Sequence, residues 1–167
     1  MFMKRKRYIF MFLALCVISV TNIQAYVKNG YKVVTPSKVK VNILSSASAY
    51  SSTINSYSAW SYSGSPIKFT RSAASPDITL GVENVDKDAY AVTYHVSSRA
   101  SNVVFYKPFI QASTSVKKET VVHEIGHCLG LAHTQSSNNS KSVMRKTGFN
   151  GKAYPLSDDK SGIKAIY

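Results

Sequence analysis

The sequence predicts one domain of the α+β class: a strand, a helix, four more strands, and then helices. Three observations carry that expectation. Apolar and polar residues alternate with a period of two in several short runs before residue 111. A serine-rich stretch between the first two runs repeats apolar residues at helical spacing. From Thr114 onward the period is that of a helix again. The 167 residues, 44% apolar and 17% charged, suit one folded core and exclude a disordered chain. Two cysteines, Cys16 and Cys128, are too few for a disulfide-framed mini-protein. The composition also excludes a multi-span membrane protein, a collagen-like chain and a coiled-coil fibre.

The first 25 residues read as an export signal. Lys4, Arg5, Lys6 and Arg7 form a basic cluster, an apolar run follows from Tyr8 to Val20, and a polar stretch ends at Ala25. That three-part pattern predicts a secretory signal peptide over 1–25, cleavage after Ala25 and a secreted, extracellular domain over 26–167. The apolar run of 13 residues is short for a membrane span, which needs ~20. An uncleaved N-terminal anchor is the first rival reading. A lipoprotein signal at Cys16 is the second, with the bulky Leu15 before the cysteine and an apolar run after it against it. After cleavage no stable membrane anchor remains, and Cys128 has no partner for a disulfide. The export then implies stability from packing and metal rather than from disulfides. Loss of the four basic residues leaves 17 Lys and Arg against 8 acids, a net +9. This charge would favour anionic cell-surface polymers, although a generically basic surface explains it as well. The basic residues are scattered, with no Arg-rich block and no nucleic-acid motif, so no nucleic-acid partner is expected.

Val39, Val41 and Ile43 alternate with Lys38, Lys40 and Asn42 and predict the first strand. Residues 45–65 hold ten serines, yet Ala47, Tyr50, Ile54, Tyr57 and Ser61 recur at helical spacing near Trp60, which predicts an amphipathic helix over about 46–61. Further strands are predicted at Pro66–Phe69, Asp77–Val82, Tyr90–Val96 and within Asn102–Ile110, the last interrupted by Pro108.

The second helix carries the chemistry. His123 and His127 are four apart, so their imidazoles lie on one helix face and can reach one zinc ion. Glu124 follows the first of them and is placed to act as a general base rather than a ligand. Gly130 can end the helix in the left-handed conformation, which turns the chain back and presents His133. Three neutral imidazoles leave one coordination position open for water, the arrangement of a catalytic zinc site. Met144, taken alone, reads as core filler, and Asp158 with Asp159 suits the first turn of a last helix capped by Ser157.

The string His123-Glu124-Ile125-Gly126-His127-Cys128-Leu129-Gly130-Leu131-Ala132-His133-Thr134 matches the extended HExxHxxGxxH zinc motif of the metzincin metallopeptidases, and its wording looks most like the matrixin branch. The resemblance spans most of 36–167. It implies a zincin-like (metzincin) single domain, with a twisted mixed β-sheet of about five strands and three helices. It implies a zinc-dependent endopeptidase hydrolysing protein or peptide substrates, with one catalytic Zn2+. Met144 would form the methionine turn beneath the metal, and Asp158 and Asp159 would support that turn and hold the N-terminal amine. Substrate would lie along an edge strand within 89–97. The segment 145–155 would shape the specificity pocket, with Tyr154 and Pro155 among its lining. Matrixins hold a structural zinc and calcium through His and Asp in the sheet loops. Here 83–111 offers one histidine, His95, and acids only at Glu83, Asp86 and Asp88, so a second zinc is not expected, and Ca2+ stays open without support from the sequence. Lys146 stands two residues past Met144, where astacin-like and serralysin-like enzymes carry a ligand tyrosine. Two alternatives share these residues: a non-catalytic cell-surface binding module on the same fold, and a cell-wall peptidase of narrow substrate range. An intact Glu124 argues against the first.

Overall fold

The computed structural model describes residues 26–167. The predicted export signal, 1–25 with Cys16, lies outside the described residues. Among the described residues no helix is long and apolar enough to cross a membrane.

Five strands form one mixed sheet: β1 (Val39–Ile43), β2 (Phe69–Arg71), β3 (Ile78–Val82), β4 (Ala91–Ser97) and β5 (Ala100–Phe105). Their order is β2-β1-β3-β5-β4, with β4 antiparallel to β5 and every other pair parallel. Parallel strands are usually covered on both faces, whereas an antiparallel edge strand can leave one side to solvent. The burial follows that rule. Val39, Val41, Ile78, Leu80, Val103 and Phe105 are fully buried, and Tyr94, His95 and Val96 on β4 are exposed. The predicted edge strand is thus β4.

Helix α3 (Thr114–Cys128) packs its apolar side into the core with Val121, Val122, Ile125 and Cys128, and Leu129 follows at its end. The Ser113 hydroxyl caps its N-terminus by accepting from the Val116 N–H. Trp60 is fully buried and its indole N–H donates to the Val122 carbonyl at 2.9 Å, which ties the serine-rich stretch to this helix. A Cβ at Gly126 would overlap the Met144 sulfur and crowd Trp60, so only glycine lets the methionine pass this close beneath the helix.

Four local differences from the sequence expectations have physical reasons. The helix expected over 46–61 is one α-helical turn, α1 (Ser51–Ile54), between 3-10 segments Ser45–Tyr50 and Asn55–Ser61. Serine hydroxyls bond back to nearby carbonyls, as Ser48 does to Ser45 at 2.7 Å and Ser58 to Asn55 at 2.8 Å. Such bonds compete with the regular ladder. The burial of Ala47, Ile54, Tyr57 and Trp60 nevertheless keeps the expected apolar face. The second strand starts at Phe69 rather than Pro66, because proline has no N–H for a ladder and the N–H groups of Ile67 and Lys68 donate to the Ser65 hydroxyl and the Pro36 carbonyl. The fifth strand ends at Phe105, and Pro108 sits in the first turn of α2 (Lys107–Gln111), where its missing N–H costs nothing. The last helix, α4 (Ser157–Ile166), takes Leu156 rather than Ser157 as N-cap, with Asp159 accepting from the Leu156 N–H at 2.7 Å.

Candidate metal centre and its cleft

Gly130 has φ +98°, and a Cβ there would overlap the Tyr31 carbonyl. The chain can therefore reverse after α3 and bring His133 back over His123 and His127. The Nε2 atoms of His123 and His127 lie 3.1 Å apart, and those of His123 and His133 lie 3.3 Å apart. Two ligands held ~2.0–2.1 Å from one zinc at the tetrahedral angle sit roughly 3.3 Å apart, so the spacing suits that ion. The other ring nitrogens show the same fit. His123 Nδ1 lies 2.8 Å from the Val143 carbonyl and His127 Nδ1 lies 2.8 Å from the Leu131 carbonyl. Since a carbonyl only accepts, each Nδ1 carries the proton and each Nε2 presents a bare lone pair. Lone pairs gathered this closely repel one another unless a cation lies between them. Burial pushes the pKa of both His123 and His127 down to about 4, which favours the neutral, ligating form. Among the described residues these three histidines form the one cluster able to hold a metal.

The supports of this centre come from two distant segments. Asp159 is buried and accepts three bonds, from the Ser142 hydroxyl at 2.5 Å, the Val143 N–H at 2.8 Å and the Leu156 N–H at 2.7 Å. Ser142 in turn accepts from the Met144 N–H, and the Met144 carbonyl accepts from the Thr134 N–H at 2.7 Å. Asp159 thus fixes the turn whose Val143 carbonyl orients His123. Asp158 Oδ2 accepts from the Thr134 hydroxyl at 2.7 Å, beside His133, while its buried Oδ1 meets no partner among the described residues. From the other end of the chain, the Asn29 side-chain amide donates to the His127 carbonyl at 2.9 Å, and the Asn29 N–H donates to the Gly130 carbonyl. Lys28 and Leu131 form an antiparallel bridge. Asn29 so ties the start of the described chain to carbonyls at the end of α3, of which that of His127 also accepts from the Gly130 N–H.

Glu124 is 7% exposed. Its Oε2 accepts from the Thr93 hydroxyl on β4 at 2.6 Å. Burial raises its pKa above the ordinary carboxylate value, against the lowering influence of His127 and of the Thr93 bond. The histidines sit between two depressions that run along β4. One, of about 310 Å³, is lined by Asn29, Thr93 and His95 among others. The other, of about 370 Å³, is lined by Tyr90, Glu119, Thr120, Arg145 and Phe149 among others.

Residues 30–167 match the model of a known family, and its description is matrixin. The chain belongs to the matrixin family. Matrixins are zinc metallopeptidases, and this chain has their fold and a three-histidine cluster that suits the ion. A solved structure of myroilysin is similar at 16% identity, with a TM-score of 0.61 over 85% of this chain and 98% of that one. A crystal structure of myroilysin gives 18% identity and 0.60 over 85% and 88%. The GM1-bound form of the ECX AB5 holotoxin gives 14% identity and 0.61 over 85% and 86%. At such identities the likeness is one of fold. A search of curated protein sequences finds no match to this chain.

Within this matrixin domain the structure brings together His123, Glu124, His127 and His133, with Gly130, Met144 and Asp159 directly beneath or behind them. Tyr154 and Pro155 do not line the cleft. Tyr154 is exposed, Pro155 is buried, and the wall is built instead from residues 145–149. His95 bonds to Ser101 through Nδ1 at 2.9 Å and stacks on Tyr31, the ordinary strand role expected of it. Cys128 faces the core, and burial pushes its thiol pKa far up. Sequence reasoning missed Thr93, Asn29 and Glu119. Thr93 and Asn29 meet the helix only through long-range folding. Glu119 had a signal, an acid on a helix one turn before His123. It accepts from the Asn150 and Gly151 N–H groups at 2.7 and 2.8 Å.

Proposed function

We propose that this protein is a secreted zinc-dependent endopeptidase in which Glu124 is the general base. The observation that carries the proposal is a buried carboxylate beside three imidazoles whose ligand atoms lie within 4.8 Å of one another, two of the pairs at 3.1 and 3.3 Å. Zinc bound by His123, His127 and His133 would supply a Lewis acid with one position open to water or to the substrate carbonyl. Glu124 takes a proton from the attacking water and returns it to the leaving amine. The raised pKa of this carboxyl suits both transfers, and the Thr93 hydroxyl holds one of its oxygens so that the other faces the reaction. The substrate adds as an extended segment along β4, where main-chain bonds give affinity and the depressions on either side of the histidines select side chains.

The export signal belongs to this reading. Tyr26 and Val27 pack beside Asp158 and Asp159. Cleavage after Ala25 would place a new ammonium group at Tyr26, near the unpartnered Asp158 Oδ1. The decisive experiment compares the zinc-loaded chain with its Glu124→Ala variant on a mixed peptide pool by mass spectrometry. Cleavage by the parent alone, with equal zinc in both proteins, is the expected result. Turnover retained in the variant removes Glu124 as base. A zinc-loaded parent that cuts nothing in the pool moves weight to the binding module or the narrow-range peptidase.

A further inference from the structure

The larger depression carries charge for which hydrolysis has no use. Its floor is α3 at Glu119 and Thr120, and its far end is closed where Tyr90 and Phe149 meet edge to face, 5.1 Å between centroids. Of its carboxylates, Glu119 has both oxygens committed to backbone N–H groups, Glu124 is held by Thr93, and Asp88 stands on the exposed rim. Its cations are Lys146 and Arg145, and Arg145 is half-buried. The Nε of Arg145 is buried and meets no acceptor among the described residues. Its guanidinium reaches only the Thr147 carbonyl, at a long 3.5 Å. The one ion pair among the described residues is Lys107 with Asp86, so no carboxylate sits on Arg145.

A guanidinium presents a flat fork of donors that a carboxylate matches with two parallel bonds. A donor buried without an acceptor is costly until a ligand oxygen reaches it. We infer that this pocket takes an acidic side chain of the peptide substrate and that Arg145 selects it. The inference rests on the peptidase reading for the nature of the ligand, a peptide, but not on its being cut.

The test separates the two. Zinc-loaded Glu124→Ala protein is immobilised, a randomised peptide pool is passed over it, and the retained peptides are sequenced. Asp and Glu should be enriched over Asn and Gln at one position by roughly tenfold to hundredfold, the range of a charge-assisted hydrogen bond. Adding Arg145→Met should erase the enrichment, and adding Arg145→Glu should replace it with Lys and Arg. Arg145→Lys, which keeps the charge and loses the fork, should retain a weaker acidic preference and serves if the other two do not fold. No acidic enrichment, or enrichment unchanged in the Arg145 variants, overturns the inference. An acidic preference in binding beside a parent that cleaves none of the retained peptides leaves it standing and counts against the broad endopeptidase reading instead.

Discussion

The two sides of the cleft at the candidate metal centre are built by opposite means. On the α3 side, the groups around the histidines are held by hydrogen bonds and close packing. Asp159 accepts three hydrogen bonds, His123 and His127 each lean on a backbone carbonyl, and Met144 fills the space that Gly126 leaves. On the β4 side, the outer strand is open. Tyr94 is 47% and Val96 57% exposed, and among the described residues β4 has a neighbour on one edge only. The contrast separates two tasks. Holding three imidazoles at fixed spacing requires an over-determined frame, whereas receiving a variable peptide requires unspent backbone donors and acceptors.

The sharpest way to break the contrast is to remove a ligand. His123→Ala should abolish zinc retention and any hydrolysis, as should stripping the parent with a chelator, and metal analysis beside a peptide assay checks both. Restored turnover on adding zinc back to the stripped parent, but not to the variant, would tie the loss to the site. Asp159→Ala should come next, because it strands donors of Ser142, Val143 and Leu156 at once. A loss of about 3 kcal/mol or more in denaturant unfolding is expected, with zinc affinity falling alongside. Thr93→Val crosses from one side of the cleft to the other. It should lower kcat about tenfold with KM nearly unchanged, and Thr93→Ser should restore most of the rate. An equal recovery failure in the serine variant would mark Thr93 as mere packing. Val96→Lys, on the open strand, should shift stability by no more than about 0.5 kcal/mol. A large loss there would mean that β4 belongs to the frame after all.

The same division explains what could be read from the residues alone. The α3 side is local: His123, Glu124, His127, Gly130 and His133 fall within one helix and one turn, so spacing determines their geometry. The alternating strands were legible for a similar reason, since a period of two places Val39, Val41, Ile78 and Leu80 on one face. What escaped depends on contacts between distant segments or on local competition. Ser48 and Ser58 bend a helical pattern into 3-10 turns through bonds that periodicity does not register. Tyr154 and Pro155 sit past residues 145–149 that line the depression, beyond the point where Glu119 holds the backbone at Asn150 and Gly151. Asn29 reaches His127 across 98 positions of sequence, a contact no pattern near either residue announces.

That last contact has a consequence in time. Asn29 stands near the start of the described chain and Asp159 in its last helix, and both brace the same metal centre. A chain made N-terminus first carries His123, Glu124, His127, His133 and its first brace before α4 has emerged. Until Asp159 arrives, the Met144 turn lacks its anchor and the Val143 carbonyl is not held against His123. The turn that orients His123 is therefore complete only once α4 has docked and Asp159 has met its three donors.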